Sequence, residues 1–179
     1  MSTRSRLIVS IGFIALVGCA SPLTRETPNL GRVATPAEVV GWDVSISPDG
    51  SGLPPGRGTS AQGAVVFERK CQSCHGERGA GQPNDRLVGG HGTLASKTPV
   101  RTIGSYWPYA TTVFDYVRRA MPYTQSHSLS DDEVYAVTAY LLHLNGITGE
   151  SDVMNAETLP KVRMPNRDNF ILAYPTRPK

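Results

Sequence analysis

Apolar positions recur at helical spacing in three stretches of the chain, and the clearest lies between Ser130 and Gly146. Val134, Val137, Leu141 and Leu144 form one apolar stripe there. Ser130 and Glu133 make a capping box, Leu129 and Val134 a hydrophobic staple, and Gly146 a natural stop. A second helix is predicted from about Tyr109 to Ala120, with Val113, Phe114 and Val117 on one face and Pro122 forbidding its continuation. A third begins near Thr59, which forms a capping box with Gln62. Gly63, Phe67 and the pair Ala64 and Cys71 follow at helical spacings. A short helix is predicted to open at Thr35, Pro36 and Glu38 and to end at Gly41. No strand alternation and no internal repeat is visible, so the predicted class is all-α.

The segments between these helices read differently. Trp42 to Ile46 suggests a short extended piece before a turn at Pro48-Asp49-Gly50. Gly52 to Gly58, with Pro54 and Pro55, reads as a rigid link, and 148–179 as an irregular tail. A chain of 179 residues accommodates one small domain with extensions. The expected division is a signal at 1–18, a tether and N-terminal extension at 19–58, a helical domain at 59–147 and a C-terminal extension at 148–179.

The N-terminus carries targeting information. Arg4 and Arg6 precede an apolar run from Leu7 to Val17, the pattern of a secretory signal. The run is shorter than the roughly 20 residues a membrane-spanning helix needs. It closes on Leu16-Val17-Gly18-Cys19, which resembles the lipobox of bacterial lipoproteins. That resemblance implies lipidation of Cys19 and a membrane anchor on the periplasmic side, each buried methylene adding about 0.8 kcal/mol. Without lipidation the exported chain would be soluble in the periplasm. The net charge is only +3 and no basic block stands out, so nothing points to nucleic acid.

The decisive chemistry lies in Cys71-Gln72-Ser73-Cys74-His75, the C-x-x-C-H of c-type haem attachment. Two thiols at this spacing can each add to one vinyl group of the same porphyrin edge. The His after the second thiol can then ligate the iron. A redox dithiol or half of a zinc site would use the same C-x-x-C. The first needs a βαβ context, and the second needs two more ligands at knuckle spacing; His91, His127 and His143 are scattered. With haem on Cys71 and Cys74, and Cys19 lipidated, all three cysteines are used. Met121, in Ala120-Met121-Pro122 after a helix, is the expected sixth ligand, with His91, His127 or an open site as alternatives. Met154 and Met164 lie in the tail. A thioether ligand favours ferrous iron and raises the potential. No nucleophile–base pair suggests catalysis by this chain.

Gly63-Ala64-Val65-Val66-Phe67 and Val137-Thr138-Ala139-Tyr140-Leu141 resemble the first and last helices of class I cytochromes c. The resemblance covers about 59–147. It implies that these helices cross at Gly63 and Tyr140. The family's P-x-L-x-G stretch is matched by Asp85-Arg86-Leu87-Val88-Gly89, with Asp where Pro is expected.

A narrower likeness extends over roughly 31–170. It rests on Ala34-Thr35-Pro36-Ala37-Glu38, Trp42-Asp43, Pro48-Asp49-Gly50-Ser51-Gly52-Leu53-Pro54-Pro55-Gly56, and Thr102-Ile103-Gly104-Ser105-Tyr106-Trp107-Pro108-Tyr109. It continues through Val113-Phe114-Asp115-Tyr116-Val117, Arg119-Ala120-Met121-Pro122 and Val162-Arg163-Met164-Pro165-Asn166. These segments resemble the cytochrome subunit of sulfite and sulfane dehydrogenases, either in its single-haem form or as the first domain of a longer form with a second haem domain. The resemblance implies a molybdenum-cofactor subunit as electron donor and a downstream cytochrome or oxidase as acceptor. The alternative is a free-standing, membrane-tethered carrier to a terminal oxidase. The extensions would wrap the molybdenum subunit or cover the haem domain itself. Tyr106 and Trp107 are expected near a haem propionate, with Arg101 a weaker candidate. Arg118 and Arg119 would line a docking face or a solvated one.

Overall fold

The computed structural model describes residues 30–171 and 173. The signal and Cys19 therefore lie outside the described residues. Among the described residues the chain divides into two units between Val40 and Gly41. Helix α1 (Pro36–Trp42) starts as its cap predicts and runs one residue past Gly41. The Thr35 N–H and hydroxyl donate to the Glu38 carboxylate at 2.8 and 2.9 Å. The Arg32 guanidinium reaches the same group and, with Thr35, holds its pKa down to about 2.

The second unit is mainly helical. Helix α2 (Ser60–Lys70) is followed by the single turn α3 (Gln72–His75), then α4 (Ala110–Ala120) and α5 (Asp131–Leu144). Both predicted capping boxes form, Thr59 with Gln62 and Ser130 with Glu133. Helices α2 and α5 cross in close contact because Gly63 has no side chain. A Cβ there would overlap the Ala136 carbonyl and press on Tyr140 Cβ at 2.7 Å. One turn on, the Phe67 and Tyr140 rings meet at 5.5 Å between centroids. Val113, Phe114 and Val117 of α4 are buried against Val134, Val137 and Leu141 of α5.

Two short strands depart from the sequence expectation. β1 (Arg57–Thr59) pairs antiparallel with β2 (Val153–Asn155), Gly58 opposite Met154. Three-residue strands carry too few positions to show a period of two, and Gly58 is there because β1 lies against the α5 backbone at Ala136.

Residues 46–54 and 153–164 pack on the helical domain. Ile46 joins the core, as do Met154, Leu159 and Met164, and the two segments meet where Gly50 lies against Pro160. The Thr111 hydroxyl donates to the Pro48 carbonyl at 3.1 Å, and the Tyr135 hydroxyl to that of Pro54 at 2.9 Å. The described part of the tail thus packs on the core although its apolar residues are spaced singly rather than at a helical repeat.

Candidate haem site

The C-x-x-C-H segment is built by the end of one helix and the start of a turn. The Cys71 N–H closes α2 on the Phe67 carbonyl at 2.9 Å. The Cys71 carbonyl then accepts from the N–H groups of Cys74 and His75 at 3.1 and 3.0 Å. This helical turn places the two sulfurs three residues apart on one side, with the imidazole next to them. Cys71 is half-buried and Cys74 exposed.

Gly76, at φ +74°, turns the chain away, and a Cβ on it would overlap the Gly81 carbonyl. The following loop folds back on the motif. The Gly81 N–H donates to the His75 carbonyl at 2.7 Å and the Asn84 N–H to that of Cys74 at 2.8 Å. The backbone carbonyl of Asp85 then stands 2.9 Å from His75 Nδ1. A carbonyl only accepts, so Nδ1 carries the proton and the lone pair lies on Nε2, the form a metal ligand needs. The chemistry of this donor set fits covalent haem with histidine ligation.

Asn145, buried at the end of α5, fixes the far side of the loop. Its amide donates to the carbonyls of Leu87 and Leu141 at 3.2 and 2.8 Å and accepts from the Gly89 N–H at 3.0 Å. The sequence reading passed over Asn145, since an Asn beside Gly at a helix end looks like punctuation.

Burial, and next the neighbouring Cys74, push the Cys71 thiol up to about 11. Among the described residues, no group of three or more His, Cys, Asp or Glu could hold a metal ion.

Met121 terminates α4. Its N–H still bonds the Val117 carbonyl at 3.0 Å, but its own backbone is extended at φ −120°, ψ 146°. Its side chain is half-buried against the core. Met154 and Met164 are core residues, 4% and 2% exposed. His91 and His127 are exposed on loops.

Tyr106 and Trp107 turn to different neighbours. Tyr106 meets Phe170 edge-on at 5.5 Å and lies under the Arg101 guanidinium at 5.5 Å. Trp107 meets Tyr116 at 5.7 Å and packs on the core. Asn166 of the C-terminal extension donates to the Tyr106 carbonyl at 2.8 Å and steadies this loop. Arg118 and Arg119 are paired within the chain, with Asp131 and Asp115.

Residues 60–145 match the family model for cytochrome c. In fold and sequence the chain is also similar to a chain of the sulfane dehydrogenase SoxCD from Paracoccus pantotrophus, seen in a crystal structure. The two are 44% identical with a TM-score of 0.75, over 84% of this chain and 73% of that one. This chain is a class I cytochrome c. The cytochrome carries one covalently bound haem c, and its role is electron transfer. It is also 31% identical over 103 residues to a thiosulfate dehydrogenase from Psychrobacter arcticus, covering 55% of the cytochrome. The match covers only 31% of that enzyme's length.

Proposed function

We propose that this cytochrome accepts electrons one at a time from the molybdenum-cofactor subunit of a sulfite or sulfane dehydrogenase and passes them to a downstream cytochrome or oxidase. In this reading Cys71 and Cys74 hold the haem through thioethers, and His75 and Met121 ligate its iron. Haem supplies the one-electron Fe(III)/Fe(II) couple. The protein residues set it up: the Asp85 carbonyl orients His75, Met121 would supply a sulfur ligand that favours the ferrous state, and Tyr106 and Trp107 would contact a haem propionate. With His75 and Met121 both holding the iron, the group would favour electron transfer over binding a small molecule.

The observation that carries the partner is the reach of the likeness. A general carrier would share only the haem domain, whereas the match to the sulfane dehydrogenase chain takes in 84% of this one. It therefore extends into the extensions that cover the domain.

Lipidation of Cys19 would place the cytochrome at a membrane on the periplasmic side. No helix among the described residues is long and apolar enough to cross a membrane. The test is isolation of the cytochrome from native membranes with mass spectrometry of the proteins that accompany it. A molybdenum-cofactor oxidoreductase in the complex supports the assignment. Oxidase subunits alone point instead to a free-standing tethered carrier.

A further inference from the structure

Met121 opens a loop that has little holding it from outside. From Tyr123 to Ser128 every residue is exposed, and the internal bonds are local, Gln125 N–H to Pro122 O at 2.8 Å and Ser128 N–H to Gln125 O at 3.2 Å. The loop's two ends are nevertheless joined. Arg118, in the last turn of α4, donates from Nε to Asp131 Oδ1 in the first turn of α5 at 3.0 Å. The Arg118 side chain is 22% exposed and that of Asp131 37%. Asp131 sits at a helix N-terminus, where negative charge is favoured, and is fixed there by the Ser130–Glu133 capping box. Arg118 lies near a helix C-terminus, where a cation is favoured. Each partner is thus placed by its own helix, and the pair spans the segment that carries Met121.

We propose that the Arg118–Asp131 pair is a clasp that positions Met121 for the iron, acting by closing the ends of its loop. The proposal rests on Met121 being the second axial ligand. Arg119 supplies a control from within the structure. It is nearer to Met121 in sequence, but its partner Asp115 lies on the same helix, so that pair cannot close the loop.

The test is titration of the ferric holoprotein with imidazole, which competes with the Met121 sulfur for iron. The long-wavelength sulfur-to-iron charge-transfer band is followed throughout. Arg118→Gln and Asp131→Asn should each raise imidazole affinity roughly two- to fivefold, as expected for a partly exposed pair. The double variant should do no more than either single one, and Arg119→Gln should match the wild type. Unchanged affinity in Arg118→Gln, or an equal effect in Arg119→Gln, overturns the clasp while leaving the Met121 reading intact. A wild-type protein without the sulfur band overturns both.

Discussion

The carbonyl of Asp85 bonds His75 Nδ1 at 2.9 Å, so the orienting contact of the proximal imidazole is made by backbone at a position where the family usually has proline. Proline and aspartate present the same acceptor, which explains how the sequence departs from its family without losing the contact. The Asp85 side chain should then be dispensable. Asp85→Ala is expected to retain haem and keep an unchanged haem spectrum; loss of haem in that variant would assign the function to the carboxylate instead.

Met121→Ala should abolish the sulfur-to-iron band of the ferric protein and lower the reduction potential. Changes of axial ligand act on a scale of about tenths of a volt. Protein-film voltammetry measures the shift. Because Met154 and Met164 are core residues, their replacement should destabilise the fold while leaving the band in place.

Gly63→Ala should be among the most damaging single changes in the chain. The added methyl meets the Ala136 backbone, which cannot move without separating α2 from α5. Overpacking of this kind costs about 1–3 kcal/mol, and the backbone contact puts this site at the upper end. Denaturant unfolding of the holoprotein would read that loss directly.

Tyr135 links α5 to the N-terminal extension through its bond to the Pro54 carbonyl. Tyr135→Phe should cost about 1 kcal/mol, the usual net worth of such a bond. Burial first, and Asp131 next, push the Tyr135 pKa up to about 12, with Arg118 opposing. The folded state therefore favours the neutral phenol. Its contribution is fully present below the unfolded pKa of about 10 and is lost as pH rises through about 12. Thermal melts between pH 9 and 12 should fall less steeply for Tyr135→Phe than for the wild type.

The helices were legible in the sequence because their signals are local. Thr59 with Gln62 and Ser130 with Glu133 form the boxes their spacing predicts, and Val134, Val137 and Leu141 are buried together. The crossing at Gly63 and Tyr140 came from family resemblance, and the geometry bears it out. What escaped depends on contacts distant in sequence. Asn145 bonds Leu87 and Gly89, and Asn166 bonds Tyr106, across stretches with no periodic pattern. The pairing of β1 with β2 joins residues almost a hundred positions apart through three-residue strands.

Composition also understated the extensions. Leu159 and Met164 are isolated apolar residues among polar and proline neighbours, yet they are 0% and 2% exposed. Their burial on the helical domain gives the extensions a structural role, whatever partner they meet.

Whether a molybdenum-cofactor dehydrogenase reduces this haem can be read by stopped-flow mixing. The ferric cytochrome would be mixed anaerobically with the molybdenum subunit from the same organism, in the presence of sulfite or of a sulfane-sulfur substrate. The ferrous haem spectrum should appear rapidly, dependent on the sulfur compound and saturating with the molybdenum subunit. A haem that stays ferric under these conditions, while chemical reductants reduce it readily, would contradict the assignment and leave a carrier serving another donor.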